Sequence, residues 1–94
     1  MSDNKRYDEI QRGDMAKTVM SNPVFTEALD QIEKDILSAW EGTNPRDTEA
    51  REKAWAFYVA SKKIRATLQS YIETGHMAVM QLEEKRRFNV FRSN

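Results

Sequence analysis

The sequence contains no cysteine, one histidine, three glycines and two prolines among its 94 residues. Without cysteine, the chain has no disulfide framework, no thiolate zinc site and no thiol nucleophile. Three isolated glycines do not make the glycine-rich loop that cradles a phosphate. These absences argue against most catalytic and cofactor sites. We therefore expect a protein that is not an enzyme and that needs no cofactor.

Long apolar runs are also missing. The first 14 residues, MSDNKRYDEIQRGD, are polar, so no secretory signal is expected. Nowhere do about 18 apolar residues follow one another, which argues against a membrane-spanning helix. The expectation from these features is a soluble cytoplasmic protein with no membrane partner.

An excess of charge of either sign is absent, because 15 basic side chains balance 15 acidic ones. The balance hides an asymmetry along the chain. Residues 21–44 hold five acids and one base, whereas residues 45–74 hold six bases and four acids. A neutral chain is not expected to bind polyanions in general, and the two segments are expected to attract each other.

The first strongly patterned segment covers residues 22–41. Its large apolar side chains recur at steps of three and four, which predicts one face of an α-helix. Asn22 is a good N-cap for a helix with Pro23 in its first position, and Gly42 suits the helix end. The apolar stripe consists of Phe25, Leu29, Ile32, Ile36 and Trp40.

The second segment, about residues 47–74, carries a heptad rhythm typical of a coiled-coil seam. Gly75 then predicts a break or kink at 74–76, before a short third helix at about 77–90. A short N-terminal helix is expected at 14–20, after a disordered arm at 1–13. The predicted fold is therefore all-α, with a single helical domain at 14–92. The seam residues are Ala50, Ala54, Phe57, Ser61, Ile64, Leu68 and Tyr71.

A five-residue connection at 42–46 predicts that the two main helices fold back as an antiparallel hairpin, with Trp40 near Trp55. The second helix is longer, so its far end should overhang and need a cover. A short chain without a staple is often stabilised by association, which favours a homo-oligomer or a larger protein partner. The alternative is a self-sufficient monomeric bundle. The interface candidates are Phe57, Tyr58, Ile64, Leu68, Tyr71 and Ile72.

Two basic clusters keep nucleic acid open as a less favoured partner, because cations with nearby aromatic rings suit phosphates and bases. Phe88 and Phe91 are interleaved with the second cluster. A tail that docks on an acidic protein, or an ordinary charged helix end, explains the same pattern. The contact candidates are Lys62, Lys63, Arg65, Lys85, Arg86, Arg87 and Arg92.

His76 is the only histidine, and it lies near the predicted helix break. A metal site there would need carboxylates such as Glu73 or Glu83 to join it. A histidine that faces water near a helix end is the more common arrangement. No metal-ligating residue and no catalytic residue is therefore assigned.

The helix caps and tryptophans of this sequence carry a family resemblance. They comprise the Asn-Pro start, a tryptophan before the turn, the Asp-Thr-Glu-Ala-Arg-Glu cap before a second tryptophan, and the Glu-Thr-Gly break. In these features, over about residues 20–82, the chain resembles small helical proteins of tailed bacteriophages and prophages. The resemblance implies a viral setting, in the host cytoplasm or the virion, and carries no active-site residue.

Three functional hypotheses follow. The leading one is a phage-encoded assembly protein that self-associates or docks on a larger protein through the second helix. The second is an accessory nucleic-acid-binding factor, similar to a small terminase component or a regulator, that uses the basic clusters. The third is an inhibitor of a host protein that uses the same interaction surface.

Overall fold

The structure, a computed structural model, describes the backbone of residues 2–92 and the side chains of residues 3–91. The described chain forms three α-helices: α1 (Ser2–Met20), α2 (Pro23–Glu41) and α3 (Thr48–Arg92). No strand occurs within residues 2–92. The predicted all-α class is therefore confirmed.

Helix α2 begins and ends at the residues that the sequence indicated. The Asn22 side chain accepts hydrogen bonds from the backbone N–H groups of Val24 (2.9 Å) and Phe25 (3.3 Å), which are otherwise unsatisfied at a helix start. Pro23 occupies the first turn. At the other end, the Gly42 N–H donates to the Ser38 carbonyl at 3.0 Å. The caps explain why the predicted bounds of this helix, 22–41, agree within one residue.

The connection to α3 is held by short polar side chains. Asn44 accepts from the Arg46 N–H at 2.9 Å, and Asp47 accepts from the Ala50 N–H at 3.1 Å to cap α3. Near the turn, the Arg51 guanidinium lies 4.3 Å from the centre of the Trp40 ring.

Helix α3 runs unbroken through Gly75 for 45 residues. The predicted break at 74–76, and the separate third helix at 77–90, are therefore wrong. Gly75 is buried against Gly13 of α1: a Cβ atom at position 75 would lie 3.0 Å from the Glu9 carbonyl oxygen and 3.2 Å from the Gly13 Cα. Glycine here allows two backbones to approach closely, and the helix does not need to end.

Helix α1 is much longer than the predicted helix at 14–20, and it starts at Ser2, inside the segment 1–13 that was expected to be disordered. Its buried residues are small, namely Gly13 and Ala16, the latter only 3% exposed. On α3 they are matched by Gly75 and Ala78. A close helix pair built on small side chains lacks the stripe of large apolar residues from which a helix is usually predicted.

The contacts divide the chain into two compact units. The α1 unit comprises Met1–Val19 and Leu68–Asn94, and the α2 unit comprises Met20–Thr67. Within each unit, contacting residues follow opposite orders in the two helices, as when Asp3 pairs with Lys85 and Arg6 with Gln81. In the α2 unit, Asp30 pairs with Arg65 and Trp40 lies beside Arg51. Each unit is therefore an antiparallel helix pair.

Candidate interaction surfaces

The buried side of α3 in the α2 unit is formed by small residues. Ala54 and Ser61 are only 8% and 4% exposed, and the Ser61 hydroxyl donates to the Tyr58 carbonyl oxygen at 2.7 Å. Phe57 and Ile64, which the heptad pattern also assigned to the seam, are 64% and 46% exposed. Small side chains therefore face α2, and two large apolar side chains lie outside this contact.

The other predicted interface residues are half-buried. The Tyr58 ring lies 5.7 Å from the Trp55 ring, and the Lys62 ammonium lies 5.3 Å from the centre of the Tyr58 ring. The Tyr71 ring is covered by the Arg12 guanidinium at 4.2 Å. Leu68 and Ile72 are half-buried in the α1 unit. Of the six predicted interface residues, only Phe57 and Ile64 are therefore largely exposed.

Ile32 of α2, which belongs to the apolar stripe predicted from the step pattern, is exposed. It is 47% exposed, whereas Leu29, one turn earlier, is 4% exposed. The stripe is wide enough for a helix packed on two neighbours, but α2 in its unit packs on one segment of α3. The step pattern of α2 identifies its apolar face and does not say how much of that face a partner covers.

One side of the α2 unit carries a compact ion-pair cluster. Arg65 donates to Asp30 at 2.6 Å and to Glu33 at 3.1 Å, and Lys62 donates to Glu33 at 3.2 Å. The hydrogen bond from Arg65 lowers the pKa of Glu33, with a further contribution from Lys62. The hydrogen bond to Glu33 in turn raises the pKa of Lys62. The four side chains join acidic α2 to basic α3.

Some of the predicted nucleic-acid contacts form such ion pairs with carboxylates of the same chain. Besides Lys62 and Arg65, Lys85 binds Asp3 at 2.9 Å, and this hydrogen bond lowers the pKa of Asp3. Three of the seven basic candidates are therefore held by carboxylates of the same chain. Lys63, Arg86 and Arg87 are exposed, and the Arg92 side chain lies outside the described residues.

The α1 unit contains an open groove between its two helices. Its apolar lining includes Tyr7, Ile10, Val79, Leu82 and Val90. A smaller neighbouring groove is lined by His76 together with Asp14, Gly75 and other residues. Neither Glu73 nor Glu83, the carboxylates that a metal site at His76 was expected to need, lines this smaller groove. Across the described residues, no group of three histidine, cysteine or acidic side chains is placed to hold a metal ion.

Large apolar side chains are exposed along the second half of α3. Met77 and Met80 are 59% and 50% exposed, and Phe88 and Phe91 are 61% and 84% exposed. Because Asp3, next to the start of α1, already pairs with Lys85, α3 continues past the beginning of α1. Exposed apolar side chains of α3 therefore lie in the α1 unit as well as in the α2 unit, where Phe57 and Ile64 are exposed.

No protein-family model, no characterised protein and no solved structure matches this chain. Within the described part of the chain, none of the helices combines the length and apolar character that crossing a membrane requires.

Proposed function

We propose that this protein is a non-enzymatic, phage-encoded interaction protein that works by docking α3 on another protein surface, either a second copy or a larger partner. The observation that supports it is the exposure of large apolar side chains on α3, among them Trp55, Phe57 and Phe91 at 61%, 64% and 84%. In the described chain no large side chain is fully buried. Exposed apolar surface of this kind is typical of interaction sites.

The amount of exposed surface supports the same proposal. The accessible surface is 7654 Å². A compact monomer of 11.0 kDa is expected to expose about 5,600 Å². The difference, about 2,000 Å², exceeds the roughly 800 Å² per partner that a standard protein interface buries. The chain thus has enough surface for a stable complex.

Site-specific photocrosslinking in the producing cell tests this function. A photoreactive amino acid is placed at Phe57 and, as a control, at Lys63, which is also exposed but polar. The expected result is a discrete crosslinked product from position 57 and none from position 63. A product of twice the chain mass indicates self-association, whereas another mass indicates a different protein. If position 57 forms no product, the proposal fails.

An inhibitor of a host protein would use the same apolar side chains, and the same experiment separates it from an assembly role. A crosslinked host enzyme or regulator identifies inhibition, and a crosslinked phage component identifies assembly. The genes next to the coding sequence supply an independent test, because an assembly protein of a phage is expected among morphogenesis genes.

Nucleic-acid binding is the second candidate function. Arg86 and Arg87, exposed beside Phe88 and Phe91, support it, since cations with aromatic rings suit phosphates and bases. The carboxylates that engage Lys62, Arg65 and Lys85 count against it. A salt titration with DNA and with RNA decides the question, because the electrostatic attraction is strongest at low salt. An absence of binding at low salt excludes this function.

A further inference from the structure

The apolar and charged residues of the α2 unit lie on opposite sides of its helix pair. Successive residues of an α-helix are about 100° apart, so Ile32 is displaced about 60° from buried Leu29 in one direction and Asp30 about 100° in the other. On α3, Phe57 and Ile64 are likewise displaced from buried Ala54 and Ser61 in the direction away from Lys62 and Arg65. Because the ion pairs join Asp30 and Glu33 to Lys62 and Arg65, those four residues mark one side.

The opposite side carries large exposed apolar side chains, and we call it the apolar side. Ile32, Phe57 and Ile64 are 47%, 64% and 46% exposed there. Ala28 and Ala60 are also exposed and lie one helical turn from Ile32 and Ile64 respectively. Two alanines between large side chains leave shallow depressions into which side chains of another helix fit.

We propose that a second copy of this chain covers the apolar side, so that two α2 units together form a four-helix bundle. This inference rests on the proposed function and names its partner. A helix pair alone buries too little surface for independent stability, as seen in the scarcity of buried large side chains. Two pairs that share their apolar sides enclose a common core.

The charges of the two helices indicate how the copies are arranged. Helix α2 holds five acids and one base, a net charge of −4, whereas residues 48–67 of α3 hold five bases and two acids, a net charge of +3. If α2 of one copy lies on α3 of the other, each helix has only neighbours of opposite charge. If α2 lies on α2, two acidic helices face each other. Charge complementarity favours the first arrangement.

A twofold axis parallel to the helices produces this arrangement. Rotation about this axis does not shift the second copy along the bundle, so each residue lies at the same height in both copies. Glu33 is level with Lys62, because their side chains pair, so Ile32 and Asp35 lie level with residues 60–64 of the second copy. Ile32 then packs between Ala60 and Ile64 of that copy, and all neighbouring helices run antiparallel, as in many four-helix bundles.

The neutral net charge of the chain is compatible with self-association, since two copies do not repel each other at long range.

Sedimentation and light scattering of the full chain test the dimer. The wild type is expected at twice 11.0 kDa. Ile64→Glu buries a charge in the shared core and is expected to raise the dimer dissociation constant at least about a hundredfold. Val59→Glu is the matched control, because Val59 is 47% exposed, close to the 46% of Ile64, but points away from the apolar side. It is expected to remain dimeric.

Circular dichroism verifies that each variant keeps its helix content. If Ile64→Glu does not fold, Ile32→Glu on α2 replaces it and is expected to dissociate in the same way. A monomeric wild type overturns the inference, as does a dimer that survives both substitutions. A monomeric wild type that still gives a crosslinked product with another protein leaves the proposed function intact, so the two failures are distinguishable.

Disulfide trapping tests the arrangement. Because the chain has no native cysteine, only the introduced thiols can form a disulfide. The double variant Asp35→Cys/Ala60→Cys places two thiols at one height, on helices that face each other across the proposed interface. On mild oxidation it is expected to form a covalent dimer, and neither single variant is. A covalent dimer from Ala60→Cys alone would show that α3 lies on α3 and overturn the proposed arrangement.

Discussion

At the scale of single residues, Glu33 is the most connected side chain of the ion-pair cluster. It accepts hydrogen bonds from both Arg65 and Lys62, and its side chain is only 13% exposed. Asp30 binds Arg65 alone and is 64% exposed. Partial burial reduces the screening that makes surface ion pairs weak, so Glu33 is the carboxylate of this cluster whose removal affects stability most.

We predict that Glu33→Gln lowers the free energy of unfolding by about 1 kcal/mol at pH 7. Denaturant unfolding measures this loss. Glu27→Gln is the matched control, since it makes the same chemical change on α2 at an exposed position. The control is expected to unfold like the wild type, and an equal loss in both variants would show that net charge, not the cluster, is responsible.

The pH dependence of the same variant gives a second prediction. Because the folded pKa of Glu33 lies below its ordinary value of 4.5, the stabilisation is complete above about pH 4.5 and is lost as the pH falls through the lower folded pKa. The stability difference between wild type and Glu33→Gln should therefore shrink steadily in acid. Unfolding curves between pH 7 and pH 3 measure it. A difference that stays constant contradicts the assigned ion pairs.

At the scale of helices, the sequence predicts those helix bounds that depend on residues nearby in the chain. Asn22, Pro23 and Gly42 act within one turn of the chain, so the bounds of α2 follow from them. The helix cost of Gly75 predicts a break, but its role in the structure depends on Gly13, 62 positions away in the sequence. The full length of α1 could not be predicted either, because its buried residues are small and leave no apolar periodicity in the sequence.

The heptad pattern does not separate exposed residues from residues that are covered within the chain. The heptad pattern included Phe57 and Ile64, which are exposed, but also Leu68 and Tyr71, which are half-buried in the α1 unit. A heptad pattern identifies residues that can pack on a neighbour. It does not distinguish a neighbour within the chain from one in another molecule. The burial of each residue separates the residues that pack within the chain from those that stay exposed.

The glycine contact between α1 and α3 predicts an unusual response to alanine. Alanine normally stabilises a helix by about 1 kcal/mol relative to glycine. At position 13, however, a Cβ would lie 2.8 Å from the Tyr71 carbonyl oxygen, a backbone atom that cannot move aside alone. We expect Gly13→Ala to destabilise the protein by about 1 to 3 kcal/mol, as overpacking does. Thermal unfolding measures the effect.

Gly42→Ala is the control for this substitution. A Cβ at position 42 would lie at ordinary contact distances, 3.5 Å and 3.7 Å, from two carbonyl oxygens, and the backbone there has a φ of −78°. Its unfolding temperature is expected to stay near that of the wild type. If Gly13→Ala is as stable as Gly42→Ala, the close approach of α1 and α3 is incorrect.

At the scale of the whole molecule, the proposed dimer has a consequence for stability. If a second copy covers the apolar side, folding and association are linked by mass action. The stability of such a protein depends on its concentration, whereas a self-sufficient monomeric bundle has a fixed unfolding temperature. The two alternatives left open by the sequence therefore differ in one measurable quantity.

We predict that the unfolding temperature of the wild type rises by about 4 °C for each tenfold increase in protein concentration. The estimate takes an unfolding enthalpy of about 0.7 kcal/mol per residue, summed over two chains that unfold together. Calorimetry over a hundredfold concentration range measures the slope. Ile64→Glu should unfold at a lower temperature that does not change with concentration, and Val59→Glu should keep the wild-type slope. A wild-type temperature independent of concentration would mean that the exposed apolar residues serve a different partner, because the isolated chain is then stable alone.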